Sequence, residues 1–297
     1  MPHASTPTTP APAGETPLGG RGLGDTHPIP GPSFGGTLTG GSHAASDKYL
    51  ERRAWIGEYF DRTAADGWKA LTSDEKVSRV RATVRAGRDT MRHTLLSMLP
   101  SDLSGWHVLD AGCGTGMLAV DLALRGARVT AVDLSPTLVG YGSDRAQAAG
   151  VADRIQFHAG DMLDPSFGGD VDAVVAMDSV IHYDLPHMIE ALSALAVRCR
   201  GPIVYTVAPW TPVLGTLLAI GRLFPTRDRS PRIVPTTERS LRAAISAAPL
   251  LSGRRSGRTK RVERGFYRSQ AYELIPTKED ASVPAARSSA TLAGEQA

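Results

Sequence analysis

Between Val108 and Ala119 an apolar run ends in an acid, Asp110, three glycines follow at every second position (Gly112, Gly114 and Gly116), and a helical pattern then opens. Such a stretch is built to close a strand, turn tightly and start a helix. Glycine suits the turn because it accepts positive φ and carries no side chain, so backbone amides can come close to a ligand. A second apolar run from Ala127 ends in another acid, Asp133. A carboxylate at the tip of the neighbouring strand is placed to accept hydrogen bonds from two ribose hydroxyls. Dinucleotide-binding folds also join strand to helix with glycines, but as G-x-G-x-x-G around a pyrophosphate. Here the order is D-x-G-x-G-x-G. Asp110 would repel a pyrophosphate, yet it can help hold an ammonium group.

The same alternation continues downstream. Ser135-Pro136 starts a helix that runs to about Ala149 and stops at Gly150. Residues 154–162 read as a third strand with Asp161 just beyond its end, and 171–178 as a fourth that closes on Asp178. A helix follows from Pro186 to about Cys199, then a fifth strand over 201–208. A short helix around 237–248 and two late strands, near 253–262 and 264–273, complete the pattern. Open α/β sheets bind ligands in the crevice at the carboxyl ends of their strands, which is where these acids fall. The arrangement resembles the Rossmann-like class I methyltransferases that use S-adenosyl-L-methionine (SAM). That resemblance implies a mostly parallel seven-stranded sheet with helices on both faces and SAM as co-substrate. It also gives Asp161 the adenine amino group and the amide of Met162 a part in reading the ring.

Composition sets the limits of the folded region. Residues 1–46 are rich in Pro, Gly, Thr and Ser, with only Glu15, Arg21 and Asp25 charged, and the tail over 277–297 is polar and rich in Ala and Ser. Neither can bury enough apolar surface to offset the cost of ordering it, so both are expected to be disordered. The head has no arginine-rich amphipathic helix and no apolar core of a signal peptide. Between these ends lies a helical arm over 47–100, containing Trp55, Tyr59, Phe60 and Trp68, and a methyltransferase core over 101–276. Trp55, Phe60 and Trp68 read as core. Tyr59-Phe60-Asp61 and Arg85-Ala86-Gly87-Arg88 mix polar and apolar groups in a way that packing alone does not explain. Cys113 and Cys199 stand in unrelated contexts without metal-ligand spacing, which suits a reduced, cytoplasmic protein. No apolar run approaches the ~18 residues of a membrane span.

The net charge of +3 is unevenly spread: thirteen Lys and Arg lie between Arg222 and Arg268, against Asp228, Glu238 and Glu263. Such a field attracts an anionic substrate, an acidic partner or an anionic lipid surface. Nucleic acid is not expected, for the basic stretch lacks interleaved aromatics and any groove-reading motif.

Several further motifs are more specific than the glycine turn. They are Tyr59-Phe60, Arg85-Ala86-Gly87, the run from Leu118 to Ala127 (L-A-V-D-L-A-L-R-G-A), Ile181-His182-Tyr183, Ala208-Pro209, Gly221-Arg222-Leu223-Phe224-Pro225 and Phe266-Tyr267-Arg268-Ser269. On these the chain resembles, from about Glu58 to Glu273, the magnesium-protoporphyrin IX methyltransferases of chlorophyll and bacteriochlorophyll synthesis. The resemblance implies methyl transfer from SAM to one propionate of magnesium protoporphyrin IX. It implies Tyr59 and His182 as catalytic residues that orient the substrate, with the arm folded over the active site. The expected cofactor contacts are Arg85, Asp110, Gly112, Gly114, Gly116, Asp133, Leu134, Asp161, Met162 and Asp178. Expected partners are magnesium protoporphyrin IX, the porphyrin-binding subunit of magnesium chelatase and, through the basic segment, the periphery of a membrane. Two alternatives stay open on the residues alone: methylation of another small molecule such as a quinone precursor, where His182 would be a base, and a non-catalytic tetrapyrrole carrier.

Overall fold

Short strands that are apolar nearly throughout belong in the middle of a sheet covered on both faces. His107–Ala111 (β1), Arg128–Asp133 (β2), Ala173–Ala176 (β4) and Ile203–Val207 (β5) are of this kind; they pair in parallel, with the more polar, less buried Ile155–Ala159 (β3) parallel to β2 at the sheet edge. Arg254–Arg264 (β6) and Tyr267–Pro276 (β7) form a hairpin in which β7 lies antiparallel to β5. The order across the sheet is β3-β2-β1-β4-β5-β7-β6. The computed structural model that shows this describes residues 57, 59, 61, 79–211 and 233–277. The Pro/Gly-rich head, the tail beyond 277, Trp55, Phe60, Trp68 and Gly221–Pro225 lie outside the described residues.

The helices are Arg79–Leu96 (α1), Met117–Leu124 (α2), Pro136–Ala148 (α3), Leu185–Val197 (α4) and Glu238–Ala247 (α5). Their starts follow local chemistry. Ser135, Asp184 and Thr237 each accept a hydrogen bond from the amide three residues on, at 3.2, 3.3 and 3.1 Å, and prolines occupy the first turns of α3 and α4. Side chains alternate across the sheet, so each strand feeds two layers. Leu109, Val174 and Ala176 point toward α4 and α5 with Met188, Leu192, Leu241 and Ile245. Val108, Ala173 and Val175 point the other way, toward α1, α2 and α3 with Met91, Leu95, Leu122 and Ala146. Although α1 falls within the arm by its place in sequence, its C-terminal half is part of this second layer: Met91, Leu95 and Leu96 are buried.

The chain runs β1, β2, β3 in one direction across the sheet and then returns to place β4 on the other side of β1. At that reversal the loops after β1 and β4 lead apart, and a crevice opens above the strand ends. Part of the basic stretch is used up in holding the fold. Arg254 donates to the carbonyls of Gly201, Ala196 and Cys199, and Arg258 pairs with the buried Glu273 at 2.7 Å while donating to Ser97 and Met98. Lys260, Arg261 and Arg264 lie exposed along the edge strand β6, where charge discourages edge-to-edge pairing.

Candidate active site

The crevice between the ends of β1 and β4 is an open cleft, reached by Asp110, Gly112, Gly114, Asp133, Leu134, Asp161, Met162, Asp178 and His182 and by Arg85, Arg88 and Arg92 of α1. The glycine turn forms its floor. Gly112 has φ 83°, its amide donates to Val132 at 2.8 Å, and a Cβ there would stand 2.4 Å from that of Ser179. Gly114, at φ 52°, faces open space. Its amide donates to Asp133 Oδ2 at 2.8 Å, tying the turn to the end of β2. Gly116, also at positive φ, sits at the head of α2.

Four acids crown successive strands, and their surroundings differ. Asp110 is buried; its carboxyl is pushed up to about 8 by burial and by the charge of Asp133, with the amide of Ala119 pulling the other way. Its Oδ2 is enclosed and has no hydrogen-bond partner. Asp133 reaches the cleft and accepts from Gly114 and, at 3.0 Å, from the amide of Ser135. Burial nevertheless holds it above the usual carboxylate range. Asp161 is half-buried and accepts from the amide of Leu163 at 2.9 Å, and Met162 beside it is buried. Asp178 is quite different. Its oxygens accept from Arg88 at 2.6 Å, Thr206 at 3.1 Å, the Tyr267 hydroxyl at 3.1 Å and Ser269 at 3.4 Å.

SAM offers an ammonium, a ribose diol and an adenine, and the first three acids suit these groups in turn. The orphaned Oδ2 of Asp110 calls for a donor such as the ammonium, because a buried acceptor without a partner is costly. Asp133 has oxygens on the cleft for the diol, and the space over Gly114 lets the methionine end lie against backbone.

His182 lines the cleft from a short turn, Val180–His182, that follows β4. Val180 is fully buried, and the Ile181 carbonyl accepts from the Val234 amide at 2.9 Å, so the turn is pinned on two sides. Tyr59 is half-buried and is not among the residues lining the cleft. Its neighbours in the arm do touch the rim. Asp61 accepts from Ser135 Oγ at 3.0 Å and from the Thr137 amide at 3.2 Å, and a Cβ at Gly57 would lie 3.6 Å from that of Leu134. Gly57 and Asp61 thus lie at the head of α3, beside Asp133 and Leu134. Sequence reasoning missed Asp61 in this part, although Tyr59-Phe60-Asp61 stood out as poorly explained by packing. It also missed the Arg88–Asp178–Tyr267–Ser269 cluster. Arg88 lay in a conspicuous Arg-Ala-Gly-Arg run, and Tyr267 and Ser269 in a conspicuous Phe-Tyr-x-Ser run, but no local signal joins them.

The seven-stranded order, the glycine turn at the reversal and the acids above β1 and β2 together define a class I SAM-dependent methyltransferase. Comparison with known proteins carries the assignment further. Residues 108–200 match the family model of a methyltransferase domain, and residues 176–276 match that of the magnesium-protoporphyrin IX methyltransferase C-terminus. The chain is 46% identical over 229 residues to the magnesium-protoporphyrin O-methyltransferase of Rhodobacter capsulatus, covering 77% of this chain and 98% of that one. It is 31% identical over 226 residues to the chloroplastic magnesium protoporphyrin IX methyltransferase of Arabidopsis thaliana, covering 74% of this chain and 70% of that one. A crystal structure of magnesium protoporphyrin IX methyltransferase from Synechocystis PCC 6803 with bound SAH shares the fold with TM-score 0.65 at 28% identity, over 76% of this chain and 100% of the other. The protein belongs to the magnesium-protoporphyrin IX methyltransferase family.

Proposed function

We propose that the protein transfers the methyl group of SAM to a propionate carboxylate of magnesium protoporphyrin IX, giving the monomethyl ester. The observation that carries this reading is the extended match to the Rhodobacter capsulatus enzyme, which spans both the SAM-binding half and the C-terminal half that completes the cleft. In the reaction a carboxylate oxygen forms a bond to the methyl carbon as the carbon–sulfur bond breaks. The sulfonium becomes a neutral thioether and the carboxylate a neutral ester. No proton moves, because a propionate with a pKa near 4.3 is already ionised at neutral pH.

The protein's task is therefore to orient and desolvate. Two opposite charges disappear on the way to product, so a cleft that excludes water speeds the step. Positioning of reactants can contribute on the order of 7–11 kcal/mol. His182, on its pinned turn, is the donor that aims the propionate, and Tyr59, from the N-terminal arm, is its counterpart. Arg85, at the cleft, adds positive charge for a dianionic porphyrin.

Incubation with methyl-labelled SAM tests the reading. At saturating SAM, magnesium protoporphyrin IX should become a labelled monoester at a rate that is nearly flat above pH 7. Turnover of a phenolic quinone precursor alone, rising with the titration of a histidine near pH 6.5, would replace it with the second methyltransferase reading. His182→Ala and Tyr59→Phe should each lower kcat on the order of 10²-fold and leave SAM affinity nearly unchanged.

The reading extends to setting and partners. We place the enzyme in the cytoplasm, in peripheral contact with an anionic membrane surface. Phe266, 72% exposed at the tip of the β6–β7 hairpin between Arg264 and Arg268, supports that contact, for an apolar wedge flanked by cations suits a lipid headgroup layer. The substrate already carries magnesium, so the porphyrin-binding subunit of magnesium chelatase is the protein partner we propose. Flotation with phosphatidylglycerol vesicles, lost in Phe266→Ser, tests the first, and co-purification with that subunit tests the second.

A further inference from the structure

Among the described residues Asp178 is the one non-glycine with positive φ, at 54°. Side chains without a particular reason avoid this region, and where one is held there its surroundings must over-determine it. At Asp178 they do. Its amide donates to Thr206 Oγ1 at 2.7 Å, and the Thr206 hydroxyl donates back to Oδ1 at 3.1 Å. Arg88 approaches Oδ2 to 2.6 Å from α1, and Tyr267 and Ser269 reach the carboxylate from β7. Three elements separate in sequence, α1, β5 and β7, converge on one residue.

The cluster lies at the point where β4 ends and the chain turns across the strand ends. Four residues further on stands His182. The αL kink at Asp178 is what sends residues 179–182 over the cleft, with Ser179 packed close above Gly112. The network also fixes α1, because Gly87 lies so close to Tyr267 that a Cβ there would be 2.6 Å from the ring. With at least four donors on its two oxygens, the Asp178 carboxylate is engaged by protein and little is left for a ligand.

We infer that Asp178 is a positioning residue: clamped by Arg88, Tyr267 and Ser269, it sets the turn that presents His182 to the substrate. The Tyr-x-Ser pair of β7 is then the far end of this clamp. This inference rests on the proposed role of His182 and adds the residues through which that role is maintained.

A double-mutant cycle tests it in the full-length protein. Tyr267→Phe removes one donor with the least change of shape, and Ser269→Ala is a milder second probe should the first fold poorly. Each should lower kcat, Tyr267→Phe on the order of 10-fold or more, with SAM affinity by calorimetry within about 2-fold and a stoichiometry of one. In a His182→Ala background Tyr267→Phe should add almost nothing, since residues acting through one another are not additive. Asp178→Asn, which tolerates αL but weakens the Arg88 contact, should retain more activity than Asp178→Ala. Independent, multiplying losses in the double variant would overturn the inference, as would a tenfold loss of SAM affinity in Tyr267→Phe, which would return Asp178 to the cofactor site. Full activity in His182→Ala would instead remove the underlying reading of His182.

Discussion

Asp110 makes SAM binding a proton-linked event. Its carboxyl is buried beside Asp133, with one enclosed oxygen lacking a partner, and is pushed up to about 8. At pH 7 such a group is about 90% protonated in the free enzyme, whereas pairing with the SAM ammonium requires the carboxylate. The cost of removing that proton weakens apparent affinity on the order of 10-fold at pH 7 and 100-fold at pH 6, and vanishes above pH 8 to 9. Titration calorimetry in buffers of different ionisation enthalpy should show release of nearly one proton at pH 7 and a Kd that falls about tenfold per unit between pH 6 and 7.5. The sign for stability is the reverse of the usual carboxylate case. Because the folded pKa is raised, the free enzyme holds more protons than the unfolded chain between about 4 and 8, so its stability declines as pH rises through that window. SAM should offset the decline, giving a larger thermal shift at pH 8 than at pH 6.5. Asp110→Asn should flatten the pH dependence of Kd and cost about 1.5–3 kcal/mol of SAM binding at pH 8.5. A Kd that is level from pH 6 to 8 in the native protein, with no proton released, would refute the pairing of Asp110 with the ammonium.

Three further outcomes are expected. Asp133→Ala should weaken SAM by roughly 1.5–3 kcal/mol, measured by calorimetry at pH 8, through loss of charge-assisted bonds to the ribose and of the tie to Gly114. Arg258→Met should lower the unfolding free energy by about 1–3 kcal/mol in urea titration, because it leaves the buried Glu273 without its partner; the exposed head of Arg258 keeps the figure modest. Burial alone would raise Glu273, but its bonds and charge pairing with Arg258 hold it below the usual range, so this contribution is present above pH 4.5 and fades as pH falls further, which acid titration of both proteins will show. Gly87→Ala should cost about 1–3 kcal/mol and disturb Tyr267, seen as a lower midpoint of thermal unfolding with a matching loss of kcat.

Much of the fold was legible because its signals are local. The glycine turn, the proline and Ser or Asp at helix starts, and the apolar strands each state their conformation within a few residues, and the observed elements fall where those signals put them. The parallel order followed from α/β alternation, and the acids at strand ends pointed to the crevice. What the sequence did not disclose is long-range. Arg88 and Tyr267 stand 90 and 89 positions from Asp178, and neither run predicts the other. The basic stretch misleads for a related reason: composition counts Arg254 and Arg258 as surface charge, whereas both are drawn onto carbonyls and a buried acid. Tyr59 and His182 were legible as motifs, but a motif carries no distance, and the cleft lining holds only the second.

Asp178 joins these levels. A strand-end acid in a SAM enzyme reads naturally as a ligand to the cofactor, and the sequence gives no reason to separate it from Asp110, Asp133 and Asp161. The separation comes from β7, which brings Tyr267 and Ser269 to the end of β4, and from α1, which brings Arg88. Tyr267 and Ser269 fall in the segment matched by the magnesium-protoporphyrin IX methyltransferase model, whereas Asp110, Asp133 and Asp161 fall only in the segment matched by the general methyltransferase domain. The cofactor half of the cleft is thus built from short-range signals common to the fold, and the half that must recognise a porphyrin is built on a clamp whose components meet only once the sheet has closed. A substitution in the clamp should therefore alter turnover before it alters cofactor binding, and one in the glycine turn should do the opposite.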